Sequence, residues 1–353
     1  MLSRSIAYKT LKISCVLLLA ITGCTPSPFD LDLPETRPLI RDLPRHAAPP
    51  DPERQHHDGT GPSVSGELSL RDALAAALLH NPRLHASAWG PRVEEANRLQ
   101  AGLRPNPEAG IEFENFAGSG ELSGAEALET TLMRSQLIEL GGKRDSRVRV
   151  AEEAWRVSAF DYEADRLAVL TETATRFVRV LEIQQRVQLA ERTRDLAEES
   201  RRVIDRRVQA GDVSPIDEIR ARLESESARI TADRLKRDLD AARRDLSAMW
   251  DQDEPTYTAL LGSLDQLGPN PSLADLSIQI DAHPDVRRWA AEADRLAAAV
   301  ELERARGVPD VNAGLGVRYE NEINDAALVA GVSVPLPTVD RNQGNILAAR
   351  LRA

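Results

Sequence analysis

Arg207-Val208-Gln209-Ala210-Gly211-Asp212-Val213-Ser214-Pro215-Ile216-Asp217 writes a helix end, a turn and a helix start in one short stretch. Gly211 is placed to take the left-handed position that stops a helix. Ser214 is a good N-cap, Pro215 suits the first helical position, and Asp217 stands three residues after the cap, as in a capping box. Upstream, Lys143 to Gln209 holds no proline and no glycine, which at ~1.5 Å per residue predicts on the order of 100 Å of helix. Downstream, a return helix is predicted to about Trp250. Phe160, Leu167, Ala174 and Leu181 recur every seven residues, and so do Leu189, Leu196 and Val203 after a slip of one residue. Leu223 with Ile230, and Leu239 with Leu246, repeat the step on the return helix. Such spacing predicts coiled-coil packing. On residues alone the turn reads equally as a plain helical-hairpin connection and as a docking surface.

The chain around this hairpin repeats itself. Leu70 to Leu103 reads as a helix with Ser69 as N-cap, and Leu276 to Arg306 reads the same way. Pro82 and Pro284 stand 202 residues apart, and so do Pro107 and Pro309, which open the extended stretches that follow. Two equal offsets predict a duplicated unit.

After each of these prolines the residues alternate with period two. Val311, Ala313, Leu315, Val317 and Tyr319 share one side; Asn312, Gly314, Gly316, Arg318 and Glu320 share the other. In the first unit Ala109, Ile111 and Phe113 oppose Gly110, Glu112 and Glu114. Polar turns follow, at Gly118 to Gly120 and at Asn321 to Asp325, with return strands predicted near Leu128 to Ile138 and Leu328 to Val334. Glu112, Glu114, Asn312, Arg318 and Glu320 therefore belong to polar strand faces. That pattern suits first a half-buried antiparallel sheet and second a membrane barrel with an apolar outside and a wet lumen. Four strands do not close a barrel alone.

The N-terminus reads as an address. Arg4, Lys9 and Lys12 precede the apolar run Ile13 to Ile21, and Ile21-Thr22-Gly23-Cys24 follows. Charge, apolar run and small residues make a secretory signal; the last four resemble a bacterial lipobox, whose cysteine is acylated, and lipid chains would hold Cys24 at a membrane surface. Thr25 rather than Asp after that cysteine is, in lipoproteins, the mark of outer-membrane sorting. Nine prolines between Pro26 and Pro62 make the next segment a linker. His46, His56 and His57 lie in it, as solvated residues or as a metal-loading patch. The expected organisation is a signal peptide at 1–23, a proline-rich linker at 24–66, a first repeat at 67–275 and a second, incomplete repeat at 276–353.

Composition narrows the function classes. The 353 residues carry a formal net charge of −11, which argues against a nucleic-acid partner. Aromatics are 4%, and Ala, Arg, Glu and Leu dominate, the usage of long helices. Cys15 and Cys24 are the only cysteines, so neither a disulfide framework nor a CxxC metal site is encoded. No GxSxG, Walker A or HExxH motif occurs, and neither an enzyme activity, a resident metal nor a cofactor is expected. His80, His85 and His283 read as helix-end or packing residues.

The pattern from about Glu67 to Ala353 resembles the TolC-type outer membrane efflux proteins. The resemblance rests on the duplicated helix–strand–strand–helix order and on the tip, which is similar to the family's R-x-x-x-G-x-x-S-x-x-D at Arg207, Gly211, Ser214 and Asp217. Gln136 to Arg144 and Val334 to Gly344 are similar to the strand-to-helix junctions of its heavy-metal, CzcC-like branch. The resemblance implies a mainly α fold with a small β part. Long coiled-coil hairpins would form a periplasmic tunnel, and four amphipathic strands from each protomer of a homotrimer would form one twelve-stranded outer-membrane barrel. It further implies a passive, lipid-anchored duct that exports divalent heavy-metal cations in a tripartite system. A periplasmic adaptor would meet Arg207, Gly211, Asp212, Val213, Ser214 and Asp217, and an inner-membrane antiporter of the RND type would supply the energy. Glu112, Glu114, Asn312, Arg318 and Glu320 would then face the lumen, where an acidic lining favours cations.

Repetition of the first unit calls for a long coiled coil after Gly344, where Asn345 to Ala353 stand, and the sequence is expected to be a C-terminally truncated member or else a degenerate relative. The competing readings are a periplasmic adaptor and a lipid-anchored coiled-coil scaffold. The first carries its hairpin once between two halves of a small β-domain; the second needs no alternating strands.

Overall fold

The structure is a computed structural model that describes residues 66–117, 119–120, 126–264 and 270–353. Cys24, the signal segment and the linker to residue 65 lie outside the described residues. The elements run β1 (Gly66–Ser69), α1 (Leu70–His80), α2 (Pro82–Ser87), α3 (Trp89–Gly102), β2 (Glu108–Glu114), β3 (Glu129–Ile138), α4 (Lys143–Gln209) and α5 (Pro215–Ser247). A 3-10 turn at Ala248–Trp250 leads to β4 (Tyr257–Leu261), α6 (Leu273–Asp281), α7 (Pro284–Arg306), β5 (Val311–Glu320), β6 (Asp325–Ser333) and α8 (Gln343–Arg352).

The duplication is visible in this order: α1 to α4 with β2 and β3 answer to α6 to α8 with β5 and β6. The junctions repeat down to the backbone. Gly142 before α4 has φ 72° and ψ 22°, and Asn342 before α8 has φ 61° and ψ 21°.

The long first helices read from the sequence are each broken. Asn81, ahead of Pro82, is extended at φ −69°, ψ 121°, and His283, ahead of Pro284, at φ −63°, ψ 137°. A residue before proline is pushed out of the helical region, and both prolines then serve as first-turn residues of new helices. The breaks are well capped. Asn81 Oδ1 accepts from Leu84 N–H at 3.1 Å while its Nδ2 donates to Met249 O at 2.9 Å. His283 Nδ1 accepts from Asp285 N–H at 3.3 Å, so this histidine is a cap. The Ser69 cap stands as read, accepting from Asp72 N–H at 3.2 Å. The second-unit helix begins earlier than read, with a full capping box between Ser272 and Asp275.

The core lies where α1, β1 and β4 pack on the middle of α4 and the end of α5. Ala73, Ala77, Val169, Phe177, Val180, Ala232, Leu246, Trp250 and Tyr257 are buried there. Leu74, Leu78 and Leu84 form a neighbouring cluster on Leu170. The parallel pair β1–β4, which the sequence reading did not contain, closes one side of this core.

The coiled-coil seam within the hairpin runs through Val180 and Val187 on α4 and through Ser225, Ala232, Leu239 and Leu246 on α5, every seven residues. The apolar series Leu189, Leu196, Val203 and the step Leu223, Ile230 lie off this seam and are exposed, Leu196 by 72%. They satisfy the heptad spacing on a face that the partner helix of the same hairpin does not cover.

Candidate functional site

The second sheet has order β2-β3-β5-β6 and is antiparallel throughout. β6 starts three residues earlier than read, because a tight turn with Asn324 at φ 54° brings Asp325 opposite Glu320. Register then decides which side chains share a face, since residues two apart on a strand return to the same side. Glu114, Glu129, Glu320 and Asp325 form one row across all four strands. The next row on that face is Glu112, Thr131, Arg318 and Ala327. All five residues read as polar-face residues are thus on one side of the sheet. Glu112, Glu114, Arg318 and Glu320 gather at its loop end, and Asn312 lies at the helix end opposite Leu137 and Ser333.

Arg318 organises the loop end. Its Nη2 and Nη1 lie 3.1 Å from Glu114 and 3.1 Å from Glu129, and its Nε donates to Thr131 Oγ1 at 3.2 Å. Asn115 Nδ2 donates to Glu129 at 2.9 Å. One guanidinium therefore faces two carboxylates, while Glu112, Glu320 and Asp325 add further negative charge to the same two rows. Glu129 and Asp325 were missed from the sequence; Glu129 opens the strand whose alternation is least clean, and Asp325 was read as turn. Between the acidic end and Asn312 the same face carries Gly110, Gly314, Gly316 and Gly331. A Cβ at Gly316 would stand 2.6 Å from Leu132 O, so that position admits no side chain.

The opposite face is apolar and open. Ile111, Phe113, Leu132, Leu315, Val317, Tyr319, Leu328 and Val332 are exposed large residues of it, Leu328 by 88%. A sheet of a soluble domain buries such a face against a second layer; here no described element covers it. Phe113 and Tyr319 share a row near the loop end, the level at which aromatic residues girdle membrane barrels.

The hairpin tip is closed by backbone and capping hydrogen bonds. Gly211 has φ +81°; its N–H donates to Val208 O at 3.0 Å and Asp212 N–H donates to Arg207 O at 2.9 Å, the two bonds of a Schellman motif. Ser214 Oγ accepts from Ile216 N–H at 3.4 Å. The reciprocal half of the expected capping box is replaced by an ion pair: Asp217 lies 3.8 Å from Arg220. Arg207, Gly211, Asp212, Ser214 and Ile216 are exposed at this end, and Val213 and Asp217 are half-buried.

Below the tip the two helices are joined by charge. Glu198 accepts from Ser225 Oγ at 2.9 Å and pairs with Arg201 at 2.8 Å, while Arg201 also reaches Asp205 at 2.6 Å. The Arg201 guanidinium, with Ser225 and Arg202, holds the Glu198 carboxyl down to about 2. Lys236 bonds Glu191 across the hairpin at 2.8 Å.

Among the described residues no helix is long and apolar enough to cross a membrane, and no group of three or more His, Cys, Asp or Glu side chains is placed to hold a metal ion.

A four-stranded amphipathic sheet is joined here to a long helical hairpin. Residues 73–252 match the outer membrane efflux protein family, and the chain belongs to that family. The family is one of efflux proteins, not of enzymes, and membership sets aside the adaptor and scaffold readings. The cobalt-zinc-cadmium resistance protein CzcC of Cupriavidus metallidurans is 34% identical over 286 residues, which cover 81% of this chain and 67% of that protein. The nickel-cobalt-cadmium resistance protein NccC of Alcaligenes xylosoxydans xylosoxydans is 28% identical over 280 residues, 79% of this chain and 62% of that one. The nickel and cobalt resistance protein CnrC of Cupriavidus metallidurans is 29% identical, with 79% and 65% covered. The chain thus spans about two thirds of the length of these relatives. Among solved structures, a membrane protein from Pseudomonas aeruginosa superposes with TM-score 0.66 at 20% identity, covering 80% of this chain and 70% of the other. The CusC channel superposes with TM-score 0.64 at 17% identity, covering 88% and 76%. These likenesses establish the fold.

Proposed function

We propose that this chain is the outer-membrane channel protomer of a tripartite efflux system, a passive duct for divalent heavy-metal cations. The observation that carries the reading is the division of the four-stranded sheet into a charged, glycine-bearing face and an open apolar face. Three copies would pair β6 of one with β2 of the next, closing the barrel and removing its free edges. The outward apolar series on α4 and α5 supports lateral contact with helices of neighbouring copies. The loop end of the lumen then collects the carboxylates of Glu112, Glu114, Glu129, Glu320 and Asp325 from every copy, with Asn312 at the other end. Such a mouth favours cations over anions through its local potential, in keeping with the cobalt, zinc, cadmium and nickel resistance proteins among the relatives.

The tip formed by Arg207, Gly211, Asp212, Val213, Ser214 and Asp217 is the docking point for a periplasmic adaptor, through which an inner-membrane RND antiporter supplies the driving force. Acylated Cys24 anchors the N-terminus in the outer membrane. The test is metal tolerance. In a cell lacking its own outer-membrane channel but retaining the adaptor and antiporter of a metal efflux system, the chain should raise tolerance to zinc, cobalt or cadmium. Glu112→Gln with Glu114→Gln should lower that tolerance without lowering the amount of protein in the membrane. No gain in tolerance from a chain that reaches the outer membrane would overturn the reading.

A further inference from the structure

The apolar face of the sheet carries one charged side chain among the described residues, Arg134. It sits sixth in β3, in the row Ala109–Arg134–Leu315–Ala330, is exposed, and forms no ion pair among the described residues. If the sheet is part of a membrane barrel, this guanidinium stands on the lipid side. An ionised group there is costly, and it persists where it has a partner.

The register says in which direction the partner lies. Toward the loop end, the next row of that face is Ile111, Leu132, Val317 and Leu328, bulky throughout. Toward the helix end, the next row is Gln136, Ala313 and Val332, with Gln136 and Ala313 the members on Arg134's own strand and its neighbour, and Ala109 flanks Arg134 on β2. Gln136 is polar and donates to Pro105 O at 2.8 Å. The small and polar neighbours leave the helix-ward side open to a long side chain. Arg134 lies four residues from the end of β3 at Ile138, about 13 Å along the strand and on the order of 9 Å in depth for a strand tilted by ~45°. A snorkelling arginine covers that kind of distance by laying its stem on the apolar surface and lifting its head to the interface.

We propose that Arg134 binds the phosphodiester of an anionic glycerophospholipid in the leaflet nearer the helices, and thereby fixes the depth of the sheet in the membrane. The guanidinium fork matches two phosphate oxygens, and charge complementarity selects an anionic over a zwitterionic headgroup. This inference rests on the barrel reading above.

The full chain, purified in detergent, is offered mixed micelles of phosphatidylglycerol and phosphatidylcholine, and the lipid retained per protein is counted by native mass spectrometry. The wild type should prefer phosphatidylglycerol. Arg134→Gln should reduce that preference about fivefold, and Arg134→Lys should keep most of it. Equal preference in wild type and Arg134→Gln would overturn the proposal. Should Arg134→Gln fail to assemble, salt decides on the wild type alone: a preference that falls with added sodium chloride supports the site, and one that does not overturns it. Cross-linking of Arg134→Cys to a second copy, with no change in lipid retention, would assign the position to a protein contact instead. A spin label at Leu328 separates the two levels of the argument. A label that reports water overturns the barrel itself, whereas a label that reports lipid with unchanged retention overturns the Arg134 site alone.

Discussion

Lys143 Nζ lies 2.6 Å from Asp310 Oδ1, and this contact ties the start of the longest helix to the residue that opens the second repeat's first strand. Leu140 N–H donates to the same Asp310 oxygen at 2.9 Å. Burial raises the Asp310 pKa, but the Lys143 ammonium and the Leu140 N–H outweigh it and hold the carboxyl below its ordinary value. The two repeats are thus joined where strand gives way to helix.

Asp310→Ala should destabilise the folded chain by about 2–3 kcal/mol, since it leaves a largely buried ammonium and a backbone N–H without their acceptor. Asp310→Asn keeps an acceptor for Leu140 and should cost about half as much. Denaturant unfolding of the two variants side by side checks the order. Equal losses would mean that the Lys143 contact contributes little.

Gly211→Ala forces a β-carbon into a left-handed residue and should cost ~1 kcal/mol. Ser214→Ala removes the cap of α5 and should cost a similar amount. Amide hydrogen exchange at 212–219 should accelerate about fivefold in either variant, while amides near Trp250 keep their rates. Acceleration at Trp250 as well would show that the tip is coupled to the core.

Glu198 supplies a pH prediction. Its folded-state pKa is depressed to about 2 by Arg201 and Ser225. A depressed carboxylate stabilises above its ordinary pKa and loses that contribution as pH falls toward the folded value. Between about pH 4.5 and pH 2 the contact from Glu198 to Ser225 should therefore weaken, read as faster exchange in the distal halves of α4 and α5. Glu198→Gln should be less stable near neutrality and should lack that pH dependence; a variant with the wild-type profile would refute the assignment.

Leu196→Asp and Ile230→Asp change side chains that the hairpin itself does not bury. Helical circular dichroism of the protomer should stay as it is, with stability within about 0.5 kcal/mol of wild type, and the proposed trimer should be lost in sedimentation. A trimer that survives both changes would place the lateral contact elsewhere.

Glu129→Gln with Glu320→Gln removes two carboxylates from one row of the sheet. In planar bilayers under a salt gradient the reversal potential should shift toward weaker cation preference. An unchanged potential would mean that the row does not sense permeating ions.

Much of this fold was legible because local signals were strong. Lys143–Gln209 was bounded correctly, since Gly142 and Gly211 punctuate a run free of proline and glycine. The polar strand faces were legible from period two alone, and the register then placed Glu112, Glu114, Arg318 and Glu320 together. The break at Asn81 was missed because apolar spacing continued across Pro82, and periodicity does not report a change of backbone. The β1–β4 pair was missed because strands of 4 and 5 residues are too short to show alternation, and their partners are far apart in the chain. Leu189, Leu196 and Leu223 mark the sharper boundary. Heptad spacing reveals an apolar stripe, but which helix covers it is a property of tertiary and quaternary packing.

The glycines on the charged face bear on flow. In a closed barrel Gly110, Gly314, Gly316 and Gly331 would thin the lining of the bore between its mouth and Asn312, where Glu108, Met133, Ser135 and Val329 are the side chains that share their rows. A passing ion would meet peptide groups and few side chains there, with one carboxylate per copy, Glu108, against five at the mouth. Throughput and sorting would then be separated along the axis, and a single side chain introduced at Gly110 or Gly331, where a Cβ meets nothing within 4 Å, would throttle the first without touching the second.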